Sequence, residues 1–395
     1  MKVGILTHHW LPNFGANLQA LATVETLRRL GHDPVIVDYR IRAIQERYEA
    51  RTQADQVEAH ERFVLDNLPI TKTCYNLDGV SSAVEQLKLD CMLSGSDAVL
   101  RLDSKTKRDD LCFPNPFWLT WAKDLGICRT GFLAASSMGS NYLREDKQTR
   151  LGIATALRQL NYCGVRDAWT KAMLKCCSPL SSKIHFCPDP VSNFATAVPA
   201  ALTPRINLPD KPYILVGLYS GMMSDEWQER LTELANRAGL LTIGLPQPDS
   251  PVDGHFNMNL ELPMDPLTWY AWIVSSSGYV GVRFHPVMIA ISKAIPVVPL
   301  DDYDNEAIMS QAPFKSARRF RRLLGNFPRR ASKTYDLCRR VGLERYSISR
   351  NRFGEITPLS VLESIQRQRN HPVDTSKIAA LSLQFRTAVA KIVGP

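Results

Sequence analysis

The chain has no run approaching the ~20 consecutive apolar residues that cross a bilayer, so a membrane-spanning helix is not expected. It has no CxxC pair. Its nine cysteines are odd in number and scattered, with Cys176 and Cys177 adjacent. That pattern argues against a disulfide framework or a structural zinc centre and for a reducing, cytoplasmic setting. No GxGxxG is present, so a nicotinamide dinucleotide is not indicated. The net charge is +9, yet no helix-turn-helix, finger or RNA-binding signature accompanies the arginines, and nucleic acid is not the expected partner. No metal-ligand constellation is visible, and no repeat of fixed period beyond two similar α/β halves. Met1 to Thr7 is too short an apolar run for a signal peptide and reads as a first strand.

What is present is an alternation. With 395 residues, 45% hydrophobic and 22% charged, the chain has the make-up of a globular protein of two or three domains. Lys2 to Thr7 reads as a strand, His8 to Asn17 as a loop, Leu18 to Leu30 as a helix and Asp33 to Tyr39 as the next strand. This is the opening of a Rossmann-like domain over residues 1–195, with a charged helical insertion at about 40–70. Short strands then end in small or charged residues, at Gly95-Ser96-Asp97, at Ser136-Ser137-Met138-Gly139 and at Arg166-Asp167. Six prolines between 188 and 212 place a linker at 196–211. A second Rossmann-like domain is expected over 212–325, and a helical tail over 326–395 packs across both.

The stretch Ser275–Leu300 organises the second domain. Gly278 to Val282 reads as a buried strand, Arg283-Phe284-His285 as its mouth, Val287 to Ala294 as a buried helix, and Ile295 to Leu300 as a returning strand. In open α/β sheets ligands bind at such mouths, and a helix N-terminus beside Arg and His favours an anion. Arginine fits carboxylate or phosphate bidentately, and histidine titrates near neutrality. His8 and His9, at the end of the first strand, are candidates to bind a second substrate. Trp269, Tyr270 and Trp272 stand at helical spacing and read as core. From Lys315 to Arg345 eleven basic residues face only Asp336 and Glu344. That cluster is either a solvated helix face or a contact for an anionic membrane or phosphate-bearing substrate.

Taken in order, Asn13-Phe14-Gly15-Ala16-Asn17-Leu18-Gln19, Gly95-Ser96-Asp97, Ala134 to Gly139, Val165-Arg166-Asp167, Pro188-Asp189-Pro190 and Val282-Arg283-Phe284-His285 resemble the polysaccharide pyruvyl transferase family over roughly residues 1–305. The resemblance implies α/β architecture with two Rossmann-like domains facing a cleft, as in the GT-B glycosyltransferases. It implies transfer of the enolpyruvyl unit of phosphoenolpyruvate to a saccharide, giving a pyruvate ketal in a surface polysaccharide, with no other cofactor. Arg283 and His285 match the family's R-x-H pair and Arg166 its second donor arginine. Arg166, Arg283, Phe284 and His285 are then expected at the donor. His285 serves as proton donor or phosphate stabiliser with Arg283 beside it, and Asp97 as base or acceptor ligand. The acceptor side takes Asn13, Gly15, Asn17, His8, Asp97 and Ser136. A lipid-linked acceptor would give the 315–345 arginines a role at the inner face of the membrane. Two positions depart from the family pattern. The lysine of many relatives is absent from Asp301-Asp302-Tyr303-Asp304-Asn305-Glu306, and Ala98 to Arg101 stands where an aromatic is usual. A nucleotide-sugar glycosyltransferase of the same architecture, or a degenerate member binding a glycan or a protein, are the rival readings.

Overall fold

The computed structural model describes residues 1–106, 108–179, 182–303 and 332–394. The first half runs β1 (Lys2–Leu6), α1 (Phe14–Arg29), β2 (Asp33–Ile36), α2 (Arg42–Glu49), α3 (Ala54–Asn67), α4 (Leu77–Leu87), β3 (Cys91–Ser94), β4 (Arg129–Ala135), α5 (Lys147–Gln159), β5 (Tyr162–Val165), α6 (Ala168–Cys177), β6 (Ile184–Phe186) and the short α7 (Phe194–Ala197). The second runs β7 (Tyr213–Gly217), α8 (Asp225–Arg237), β8 (Leu241–Gly244), β9 (Met258–Asn259), α9 (Pro266–Val274), β10 (Tyr279–Gly281), α10 (Phe284–Ser292) and β11 (Val297–Asp301). The tail supplies α11 (Lys333–Val341), β12 (Ile348–Ser349), α12 (Pro358–Asn370) and α13 (Thr375–Val393).

Each half is built on a six-stranded sheet, ordered β2-β1-β3-β4-β5-β6 and β12-β11-β10-β7-β8-β9. All pairings between these strands are parallel. These are the two doubly wound orders, and each reverses direction once: between β1 and β3 in the first sheet, between β7 and β10 in the second. The strands read as continuous apolar runs because helices cover both faces. Helix starts are set locally. Asn13, Asn76, Asp146, Asp167, Ser224, Asp265, Ser332, Thr357 and Asp374 each accept a backbone N–H from the first turn of the helix they open.

Capping moves two boundaries. Because Asn13 caps α1 by accepting from the Ala16 N–H at 3.2 Å, the Asn13–Gln19 stretch expected as loop is mostly the first turns of a helix. Because α10 begins at Phe284, with Arg283 as its N-cap, Phe284 and His285 lie in the helix's first turn and not in a preceding loop.

The tail is mostly helical and packs on both sheets, and it also supplies a short strand. Residues Ile348 and Ser349 pair with Leu300 and Asp301 as the edge strand of the second sheet, which corrects the expectation of a tail without a strand. Helix α12 then covers that sheet, where Gln368 bonds both the N–H and the carbonyl of Val297. Helix α13 crosses back to lie on β4 and β5, with Ile392 against Gly131 and Ser382 donating to Asn193. Of the basic cluster, Lys315 to Arg330 lie outside the described residues, as do the donor-domain boundary at 325 and Asp304-Asn305-Glu306. The described arginines have partners within the fold, although Arg339 and Arg345 are exposed. Arg339 and Arg340 pair with Asp336, Arg340 also stands 3.4 Å from the Phe186 ring centroid, and Arg345 bonds the Tyr346 hydroxyl.

The halves meet along α1 and α3 on one side and α9 and α10 on the other. Phe14 stacks on Trp269 at 5.0 Å, and Phe194 lies 4.4 Å from Tyr270. The Gln56 amide bonds both backbone groups of Met264. Trp269, Tyr270 and Trp272 are buried, as their spacing implied.

Two predictions follow from this packing. Phe385 of α13 is fully buried, so Phe385→Ala should cost about 3–5 kcal/mol, read by denaturant unfolding, although the helix lies far along the chain from the strands it covers. Buried His60 bonds Asn17 at 2.6 Å, and burial lowers its pKa from 6.5 to about 3. Between those values the unfolded chain binds the extra proton, so stability falls as pH drops from 6.5 toward 3. His60→Gln should flatten that slope in melting temperatures taken across the window.

Candidate active site

The C-terminal ends of the two sheets face one another across a cleft of about 420 Å³. Both switch points open into it. From the first come His8 after β1 and Asp97 after β3; from the second come Tyr219 after β7 and Arg283 after β10. That is where the strand order itself leaves a crevice for a ligand.

Behind the cleft floor lies a charged cluster centred on Asp189. Its Oδ2 accepts from Arg166 at 2.8 Å and from Gln19 at 2.5 Å, and His285 Nε2 stands 3.9 Å away. The other end of the Arg166 guanidinium donates to Asp97 at 2.5 Å. Arg166 is buried and does not line the cleft. Burial alone would lower its pKa, but Asp97 and Asp189 outweigh that and raise it. Burial likewise would raise the Asp97 carboxyl, yet Arg166, then Lys333 and His285, hold it well below the ordinary range. Asp97 therefore presents a carboxylate to the cleft. Its backbone is left-handed at φ 74°, a conformation Asp tolerates better than most residues, and its carbonyl accepts from Ser136 N–H at 2.8 Å.

His285 is 8% exposed. Burial lowers its pKa to about 4, with Asp189 acting the other way, so the imidazole is neutral near pH 7 in the open cleft. Its Nε2 has no hydrogen-bond partner among the described residues. Its Nδ1 lies against Gly15 of the other half: a Cβ there would fall 1.8 Å from it. The glycine of the first motif is needed for that close approach. Arg283 donates to Asp249 at 3.2 Å and lies over the Tyr219 ring at 5.0 Å. As N-cap it offers α10 no side-chain bond, so the N–H groups of the helix's first turn stay open to an anion. Phe284 is the meeting point of the two halves, with Arg166 Cζ 5.4 Å and Lys333 Nζ 5.0 Å from its ring centroid.

The acceptor-side residues separate into two groups. His8, Asn13, Gly15 and Asp97 line the cleft. His8 is buried there, its pKa lowered by burial, with Nδ1 unpartnered and its ring 4.9 Å from Phe117. Asn17 and Ser136 do not line it. The Asn17 amide joins the His9 carbonyl to His60, and Ser136 donates to Asp167 at 2.8 Å. Their place on helix α1 and behind β4 turns both side chains to these partners. His9 is likewise locked, to Asp38 at 3.1 Å and the Thr7 carbonyl. Phe117 lines the cleft, whereas Trp118 is core. Among the described residues no group of three or more His, Cys, Asp or Glu stands at metal-holding spacing.

Arg101 and Tyr48 are not singled out in the sequence, and Lys333 stands there only as one member of the 315–345 basic cluster; all three line the cleft. Tyr48 comes from the helical insertion and Lys333 from the tail, far along the chain from either switch point. One signal for Lys333 was present: a lysine directly after the Ser332 cap opposes the helix dipole and needs another reason to be there.

Comparison with known proteins gives the following. The UDP-GlcNAc 2-epimerase of Neisseria meningitidis, solved with UDP-GlcNAc, is 13% identical; 85% of this chain and 97% of that one are covered, with a TM-score of 0.46. The glycosyltransferase SsfS6 of Streptomyces sp. SF2575 is 12% identical, covering 98% and 96%, with a TM-score of 0.43. The ADP-heptose lps heptosyltransferase II of E. coli is 11% identical, covering 97% and 99%, with a TM-score of 0.39. No curated protein sequence matches the chain. A family model described as polysaccharide pyruvyl transferase matches residues 13–305. That span takes in Asp97, Arg166, Asp189, Arg283 and His285 together, and the chain belongs to the polysaccharide pyruvyl transferase family.

Proposed function

We propose that the cleft transfers the enolpyruvyl unit of phosphoenolpyruvate to two hydroxyls of a saccharide, forming a pyruvate ketal. The observation that carries this reading is the uncapped N-terminus of α10, flanked by Arg283 and the unpartnered Nε2 of His285, facing the ionised Asp97 across the cleft. One side is a receptor for a small anion. The other is a hydrogen-bond acceptor for hydroxyls. Transfer from an anionic donor to a sugar needs both.

In the proposed reaction the donor's methylene carbon takes a proton and its central carbon becomes oxocarbenium-like. A sugar hydroxyl adds to that carbon and loses its proton. Phosphate leaves with the bridging oxygen, and a second hydroxyl closes the ring, giving up its own proton. Donor and diol thus become ketal and inorganic phosphate. His285 is neutral in the open cleft, so it delivers a proton only once a bound dianion has offset its burial and raised its pKa. Asp97, held ionised and so a weak base, orients the attacking hydroxyls as a hydrogen-bond acceptor; of the two protons they lose, one replaces that delivered to the methylene and the other leaves with the phosphate. Arg166 does not line the cleft, so its part is to fix Asp97 and Asp189 in place, not to clasp the donor directly. That revises the donor role expected from its motif.

The reading is tested by thermal shift with phosphoenolpyruvate. Wild type should be protected, and Arg283→Ala should bind roughly ten- to a hundredfold more weakly, as for loss of a charge-assisted bond. Protection of wild type by UDP and not by phosphoenolpyruvate would instead favour a nucleotide-sugar donor.

A further inference from the structure

We propose that Lys333, which lies outside the span shared with the family, is a donor-site residue that holds a phosphate group in the cleft. This rests in part on the reading above, because the phosphate is there assigned to phosphoenolpyruvate.

Arg166 is already shared between two carboxylates, and Arg108 is held bidentately by Asp110. Arg283 has Asp249. Lys333 lines the same cleft and, among the described residues, makes no hydrogen bond or ion pair. Its nearest described partner is the face of Phe284, 5.0 Å from Nζ. The acid on its own helix is taken, since Asp336 is paired with Arg339 and Arg340.

Its setting is built and not a frayed surface. Ser332, one residue earlier, is buried, caps α11 by accepting from Tyr335 N–H, and donates to Asp301 at the end of β11 at 2.7 Å. That bond fixes the helix start at the mouth of the second sheet and turns Lys333 into the crevice. The long-range charge there is balanced: Arg166 and Lys333 face Asp97 and Asp189, with Asp167 beyond and a neutral His285 beside them. The hydrogen bonds are not balanced, because an ammonium carries three donors and this one meets no acceptor among the described residues. Burial, and then the neighbouring Arg166, lower its pKa to about 8, while Asp97 and Asp189 work in the opposite direction, so it remains mostly protonated at neutral pH. A tetrahedral oxyanion seated at the first turn of α10 would supply the missing acceptors. Lysine suits that task as a point charge on a flexible stem.

The experiment compares wild type, Lys333→Met and Lys333→Arg in thermal-shift titrations with inorganic phosphate, phosphoenolpyruvate, pyruvate and UDP. The expected result is a roughly ten- to a hundredfold loss of affinity for phosphate-bearing ligands in Lys333→Met. Lys333→Arg should recover most of that loss, and any binding of pyruvate, which has no phosphate, should be unchanged. If phosphoenolpyruvate binds the Met variant as tightly as wild type, the assignment falls while the pyruvyl reading stands. If UDP alone protects wild type and loses affinity in the Met variant, the assignment stands and the pyruvyl reading falls. If no phosphate-bearing ligand binds wild type, both fall. Lysine acylation mapped by mass spectrometry on wild type covers the case of a variant that does not fold: phosphate should protect Lys333, and equal labelling with and without phosphate would overturn the assignment.

Discussion

The structure depends on one buried carboxylate. Asp189 follows the last strand of the first sheet and is almost fully enclosed. One oxygen accepts from Gln19 on α1 and Arg166 after β5; the other accepts from the Val191 N–H in its own turn. His285, from the opposite half, approaches the first. A charge this deep is tolerable only when its hydrogen bonds are filled, and filling them draws four separate pieces of chain to one point. Asp97 is held in turn through Arg166. The cleft floor is therefore a relay of fixed charges and not a lining of independent side chains.

That arrangement divides labour among the positive groups. A guanidinium between two carboxylates has little left to offer a ligand, so Arg166 acts as framework. Among the described residues, the cleft-lining groups left to receive an anion are those with one ion-pair partner or none: Arg283, Lys333, Arg47 and Arg101, with the uncapped start of α10 beside the first two. Preorganised donors of this kind favour a charged group without having to rearrange when it arrives. The hydroxyl-accepting side is set by the same cluster, because Asp97 stays ionised on account of the charges behind it.

Much of this could be read in the chain. The βα alternation gave both halves, since parallel strands buried on two faces are apolar throughout and their helices begin at visible caps. Motif residues at strand ends led to Asp97, Arg166, Arg283 and His285, because ligands gather where strand order reverses. Asn17 and Ser136 lie off the cleft lining for local reasons. Which face of α1 Asn17 occupies depends on where the helix starts, and Asn13 moved that start by a turn. Ser136 follows an irregular end of β4, where the register with β5 shifts. Lys333 and Tyr48 were hidden because their approach to the cleft is purely tertiary. Periodicity says that α11 is amphipathic, but not that its first residue enters a crevice between two sheets. The edge strand Ile348–Ser349 is two residues long and below what pattern alone can mark.

The return of α13 to the first sheet has a consequence for how the protein is made. Every cleft side chain has left the ribosome before Thr375 is translated. Until that last amphipathic segment emerges, the face of β4 and β5 that it seals stays open to solvent, and the nascent amino-terminal lobe resembles a half-finished core needing shelter from aggregation. A message broken just upstream would yield all of the chemistry with none of its closure.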